Sequence, residues 1–144
     1  MGKRLQVQLL PNWAQMDNPD GPDTFYRTDS DDSGALQVSL YAEYKSGKVP
    51  NPSTRDLVEL AQEHGERHNA GTLVQTSSGQ CGLGNYGSAI FQSKEYPRIQ
   101  FWYLSNGGDF VLATHTCTVE PEAAEVAEAQ EIVGILGLSA GKQA

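Results

Sequence analysis

Two cysteines, Cys81 and Cys117, are all that 144 residues carry. That is too few for a disulfide framework or a structural zinc module. Two small buried hydrophobes is the first reading of them, with a single Cys81–Cys117 disulfide left open. No run approaches the ~20 apolar residues that a membrane-spanning helix needs. Positive charge is scarce: 10 Lys and Arg stand against 18 Asp and Glu, a net charge of -8 with a pI near 4.7. Such a surface repels phosphate backbones, so nucleic acid is not an expected partner. A basic protein partner, or simple solubility, fits the charge. The opening residues MGKRLQVQLLPNW contain no apolar export core and no small-residue cleavage site, and Met1-Gly2 lacks the Ser or Thr of a myristoylation signal. The expected location is cytoplasmic, or envelope or secreted if an export signal has been removed.

What is present reads as one domain over residues 1–144, with the tail 138–144 expected to fray. The strongest pattern runs from Tyr96 to Val119. Ile99, Phe101 and Tyr103 alternate with Gln100, Trp102 and Leu104. After Asn106-Gly107-Gly108, Phe110, Leu112 and Thr114 alternate with Val111, Ala113 and His115. This predicts a two-stranded hairpin closed at Asn106-Gly107 by a tight primed turn. Phe101, Tyr103, Phe110 and Leu112 then share one face, and Trp102, Leu104, Val111 and Ala113 the other. Both faces are apolar and both need cover.

Along the chain, Leu5, Val7 and Leu9 alternate into a first strand that ends at Pro11. Strands are expected at Thr24–Thr28, at Ala35–Tyr44 with Leu36, Val38, Leu40 and Ala42 on one face, at Thr72–Thr76 and at Ser88–Ser93. The segment from Ser77 to Gly87 reads as a turn region. A first helix starts after Ser53 with Asp56 in its first turn, buries Leu57, Leu60, Ala61, His64 and His68, and ends at Gly71. Gly65 inside it costs ~1 kcal/mol and predicts a bend or an early end. A second helix follows Pro121, with Glu122, Glu125 and Glu128 favouring its positive end and Val126, Ala129, Val133 and Leu136 facing inward. The order β-β-β-α-β-β-β-β-α predicts an α+β fold: a central antiparallel sheet of about six to seven strands with a helix on each side, an α/β/α sandwich.

Several constellations invite a chemical reading. Gly82, Gly84 and Gly87 spell G-x-G-x-x-G, but a strand rather than a helix follows, so a turn or bulge is expected, not a dinucleotide site. Asp29, Asp31, Ser33 and Gly34 imitate the start of an EF-hand loop, yet Leu40 stands where the bidentate Glu belongs. Asp17, Asp20 and Asp23 form an acidic loop that is either a calcium ligand set or a run of Pro-Asp-Gly turns, the latter favoured. His64 and His68 have the spacing of two ligands on one helix, without the Glu of a zincin and without a third ligand, so packing is the better reading. His115 and Cys117 are the raw material of a thiol nucleophile, but they share a core-like strand face, where an inert buried cysteine is expected. No serine nucleophile elbow and no marked acid–base pair is present. Of the aromatics Tyr41, Tyr44, Tyr86, Trp102 and Tyr103, most are expected in the core, and any left exposed marks a contact site.

The arrangement of Pro11-Asn12-Trp13, the Phe-containing strand Thr24–Thr28, the Leu-x-Val-x-Leu strand Leu36–Leu40, an Asp-Leu helix, the glycine-marked strand Gly87–Phe91, the long aromatic hairpin and a C-terminal helix resembles the PsbP-like superfamily, including bacterial DcrB-type proteins. The resemblance implies an α/β/α sandwich, mostly non-enzymatic members and no shared catalytic set; no cofactor is expected. The expected function is a non-enzymatic protein-binding module, an adaptor or immunity-type protein. Its expected state is a monomer or weak dimer, and its expected contact residues are Asp17, Asp20, Asp23, Tyr86 and Trp102. Two alternatives stay open: a small-ligand or metal-binding protein using the acidic loop 17–23 and the turn 79–87, and a thiol enzyme using Cys117 and His115.

Overall fold

The computed structural model describes residues 4–17, 21–42 and 52–139. Seven strands form one antiparallel sheet: β2 (Trp13–Gln15), β3 (Asp23–Arg27), β4 (Ala35–Ala42), β5 (Thr72–Gln80), β6 (Asn85–Gln92), β7 (Arg98–Ser105) and β8 (Phe110–Cys117). Their spatial order is β2-β3-β4-β8-β7-β6-β5. A two-stranded ribbon pairs β1 (Arg4–Gln6) with β9 (Gly137–Ser139). The helices are α1 (Thr54–Arg67) and α2 (Ala123–Gly134).

The β7–β8 hairpin lies at the centre of the sheet, and its register sets the two faces. Trp102 pairs with Ala113, Tyr103 with Leu112 and Leu104 with Val111. Phe101, Tyr103 and Phe110 pack with Leu57 and Ala61 of α1. Trp102, Leu104, Val111 and Ala113 pack with Ala129, Ile132 and Val133 of α2, with Leu136 just beyond it. One helix therefore covers each face, as the double apolar alternation requires. Burying side chains of this size stabilises by roughly 1.5–3 kcal/mol each.

The hairpin turn differs from the expected one. Ser105 pairs with Phe110, leaving the four residues Asn106–Asp109 as the loop. Gly107, not Asn106, takes the positive φ of 99°. The Asn106 carboxamide accepts from the amides of Gly108 and Asp109 at 2.9 and 2.7 Å, so a side chain closes the turn in place of a primed backbone geometry.

In α1, Ser53 and Asp56 form a reciprocal capping box. Leu57 and Ala61 are buried, Leu60 and His64 half-buried and His68 exposed. The helix does not stop at Gly65 but runs on to Arg67. A Cβ there would lie 2.1 Å from the Phe91 ring, so the glycine lets β6 approach. Asn69, with φ 55°, takes the left-handed position after the helix that was expected of Gly71.

Further expectations are corrected. The turn region from Ser77 is largely strand, since β5 runs to Gln80 and β6 starts at Asn85, leaving Cys81–Gly84 as the hairpin loop. The short strand β2 was not foreseen. A register shift between Leu40 and Ala42 breaks the alternation of β4, and Tyr41 is 53% exposed, the one described aromatic of the five with an exposed ring. The inward stripe of α2 holds Glu125 and Ile132, while Val126 is only half-buried. Leu138 and Ser139 of the expected frayed tail belong to β9. Tyr44, Asp20 and residues 140–144 lie outside the described residues.

Candidate functional site

The α2-facing side of β7 and β8 is apolar at the Asn106 end and polar at the other. Register pairs Gln100 with His115 and Arg98 with Cys117, so these four residues form a patch on one face. Gln100, His115 and Cys117 are 2%, 1% and 1% exposed. Glu125 of α2 reaches down onto the patch and is itself buried. Its Oε2 accepts a hydrogen bond from His115 Nε2 at 2.8 Å and another from the Gly34 amide at 2.8 Å. Cys117 Sγ lies 3.8 Å from His115 Nδ1 and 3.7 Å from Nε2, nearly equidistant and hence over the imidazole.

Gly34 is glycine for a steric reason. A Cβ there would lie 2.6 Å from the Thr116 carbonyl oxygen, 2.9 Å from Cys117 Sγ and 3.0 Å from Glu125 Oε2. The sulfur and the carboxylate occupy the space a side chain would need.

Electrostatics keep Glu125 ionised and Cys117 protonated. Burial pushes the Glu125 carboxyl up, but the hydrogen bonds from His115 and Gly34 and the charges of His115 and Arg27 outweigh it and hold it below the usual range. Burial pushes the Cys117 thiol up to about 12, and the Glu125 charge adds to that. Arg98 opposes the rise. At neutral pH the thiol is therefore not an activated nucleophile.

Two polar chains extend from this centre. On β7, the Arg98 guanidinium donates to Gln100 Oε1 at 2.9 Å. The Gln100 amide donates to Ser88 Oγ at 3.2 Å, and Ser88 shares a 2.6 Å hydrogen bond with Ser77 of β5. On the other side, buried Arg27 of β3 donates to Glu122 at 3.0 Å, and its Nε lies 3.4 Å from Glu128. Glu128 Oε1 accepts from Trp13 Nε1 at 2.9 Å and from Asn12 Nδ2 at 3.0 Å. These contacts hold α2 against β2 and β3.

A second feature lies farther along the same face. Ser77, Gln80, Cys81, Tyr86, Trp102, Gln130, Val133 and Gly134 enclose a cleft of about 250 Å³. It opens beside β5, the edge strand. Over TLVQTSSGQ this strand carries no charged side chain and no proline. Leu73 and Val74 are exposed, Val74 by 57%, and a register shift between Leu73 and Gln75 leaves Val74 in a bulge. From Gln75 to Gln80 the pairing with β6 is regular.

The structure brings two of the five expected contact residues together. Tyr86 and Trp102 both line the cleft, Tyr86 half-buried and Trp102 3% exposed. Asp17 is exposed beyond β2, and Asp23 starts β3 in the other half of the sheet. His64 and His68 lie on the opposite face, their rings 4.4 Å apart, with His64 Nδ1 3.1 Å from the Tyr103 hydroxyl. Among the described residues no third His, Cys or acidic ligand joins them. Asp29 contacts Arg27 and Asn12.

Sequence reasoning took Glu125 only as a negative charge that the helix dipole favours. The signal that identifies it is spacing: Glu125, Ala129, Ile132 and Leu136 fall at i, i+4, i+7 and i+11, so the carboxylate lies on the apolar stripe. A charge there needs a buried partner, and His115 is one.

No family model and no curated protein matches the chain in sequence. Solved structures match it in fold. The solution structure of cyanobacterial PsbP (CyanoP) from Synechocystis sp. PCC 6803 superposes with a TM-score of 0.57 at 11% identity, covering 94% of this chain and 91% of that one. The crystal structure of LpqN, involved in cell envelope biogenesis of Mycobacterium tuberculosis, superposes with a TM-score of 0.61 at 13% identity, covering 96% and 84%. No helix among the described residues is long and apolar enough to cross a membrane. At these identities the likeness is one of architecture: the chain has the PsbP-like α+β fold.

Proposed function

We propose that this chain is a non-enzymatic protein-binding module that takes an extended segment of a basic partner onto the free edge of β5. The observation that carries the reading is the edge itself. Among the described residues β5 pairs only with β6, and its outer amides and carbonyls are offered to a further strand. Edges are commonly protected by lysine, proline or a bulge. Here only the bulge at Val74 is present, and Gln75–Gln80 are left open. The adjoining cleft at Tyr86 and Trp102 would receive a side chain of the added strand. The net charge of -8 favours a basic segment, as do Glu59, Glu63 and Glu66, which line a groove along α1, the helix packed against β5 and β6. The protonated thiol of Cys117 speaks against the thiol-enzyme alternative.

The test compares the wild-type chain with Thr76→Lys/Ser78→Lys as bait in the native host, at low and at high salt. Both positions are exposed, so the variant keeps the fold. The expected result is one stoichiometric basic partner that high salt and the two lysines each release, with β5 amides protected from exchange in the reconstituted complex. Retention by the lysine variant, or no partner at either salt, overturns the reading. A cytoplasmic location is part of this proposal. Fractionation that places the chain in the envelope, in whose biogenesis LpqN is involved, would move the partner search there.

A further inference from the structure

We propose that His115, Cys117 and Glu125 form a buried binding site for one late first-row divalent cation of the Zn²⁺ class. Three donors of different chemistry, an imidazole nitrogen, a thiol sulfur and a carboxylate oxygen, all lie within 4.8 Å of one another. All three residues are at most 2% exposed. They come from two elements, β8 and α2, and the Gly34 backbone leaves room for them where any side chain would collide with both Sγ and Oε2.

The donor set selects the ion. Calcium and magnesium take oxygen ligands almost alone. A mixed nitrogen, sulfur and oxygen set of three suits Zn²⁺ or Co²⁺ in a tetrahedral geometry, with a fourth position left to another donor. Binding forms bonds to Nε2, Sγ and a carboxylate oxygen. The imidazole binds as its neutral tautomer with the proton on Nδ1, and the proton on Sγ leaves to solvent, because a coordinating thiol is deprotonated. Thiolate and carboxylate together neutralise the dication, so the closed centre buries no excess charge, and Arg98 lies across the register from Cys117. The ion then takes over what the His115–Glu125 hydrogen bond does without it, which is to clamp α2 to β8.

The test uses Co²⁺ as the probe. Because the site is closed, metal-free chain is refolded from denaturant with excess Co²⁺. One ion per chain is expected, with a thiolate-to-cobalt charge-transfer band that Zn²⁺ bleaches. Zn²⁺ should also raise Tm by mass action. Both effects should be lost in Cys117→Ser and Glu125→Gln and kept in Cys81→Ser. If the substituted chains fail to fold, X-ray absorption of the wild-type cobalt form decides alone. It should show one sulfur neighbour together with nitrogen and oxygen neighbours. Absence of the band after refolding, absence of a sulfur neighbour, or transfer of the dependence to Cys81, which means an adventitious surface ion only, overturns the assignment.

Discussion

Glu125 Oε2 stands 2.8 Å from His115 Nε2 while accepting the Gly34 amide at the same distance, so one carboxylate oxygen joins α2, β8 and the segment before β4. Removing one partner of a buried pair leaves the other uncompensated, which costs more than the pair contributes. Glu125→Ala should therefore lower stability by about 3–5 kcal/mol. Glu125→Gln retains an acceptor for Gly34 and should lose about 1–3 kcal/mol. His115→Leu combined with Glu125→Leu should cost clearly less than the two single changes summed. Urea unfolding of metal-free protein measures all of these. A loss below ~1 kcal/mol for Glu125→Ala would mean that the pair does not hold α2.

Gly65 sets backbone propensity against packing. Glycine inside a helix is ~1 kcal/mol worse than alanine, so propensity alone predicts that Gly65→Ala stabilises. But the methyl would enter the Phe91 ring, with ring atoms 2.1, 2.4 and 2.7 Å from the Cβ position. Overpacking of this kind costs roughly 1–3 kcal/mol, and it should win. Gly65→Ala is expected to destabilise. Phe91→Leu should then cost less in that background than in the wild type, because the smaller side chain makes room. A stabilised Gly65→Ala protein would show that α1 shifts freely on β6.

Asn69 holds the left-handed conformation at the end of α1 with φ 55°. A Cβ without a local hydrogen-bonding group is penalised there by ~1–2 kcal/mol. Asn69→Ala should lower stability by about 1 kcal/mol, and Asn69→Gly should leave it within ~0.5 kcal/mol of wild type. Thermal unfolding of the three proteins side by side checks the order. An alanine variant as stable as the glycine one would contradict it.

Features written in local sequence were legible, and features set by distant packing were not. The alternation across Ile99–His115 predicted both faces of the central hairpin, because the pleat has a period of two and each face is buried by a different helix. The α1 cap was legible because Ser53 and Asp56 are three residues apart. Three residues of β2 and three of β9 are too short to show any period, and both exist only because Arg27 and Leu5 regions lie alongside them. At Asn106-Gly107 the sequence suggested a two-residue turn, but the Asn106 side chain satisfies two amides and widens it to four. The polar centre was half visible. His115 and Cys117 could be placed on one face, but their meaning depended on Glu125 arriving from ten and eight residues later in the chain. Tyr86 and Trp102 could be named as aromatics, whereas the cleft they line needed α2 to close over it.

The last prediction concerns pH. His64 faces Tyr103 of β7, whose hydroxyl also bonds Tyr41 of β4, and it neighbours His68 and Arg67 on its own helix, with Glu63 beside it. Burial, aided by His68 and Arg67, pushes its pKa from 6.5 down to about 4. The unfolded chain therefore binds this proton first as pH falls. Stability from the neutral imidazole is fully present above about pH 6.5, declines as pH falls towards 4, and is gone below that. Partial solvent exposure reduces its size to about 1 kcal/mol between about pH 7.5 and about pH 5. His64→Gln keeps a hydrogen-bonding group for Tyr103 and does not titrate. Carboxylates titrate alike in both proteins, so the difference in their pH dependence isolates His64. Urea midpoints at the two pH values should show the wild type losing about 1 kcal/mol more than the variant. Equal losses would place His64 in water, and a larger loss in the variant would reverse the sign of the argument.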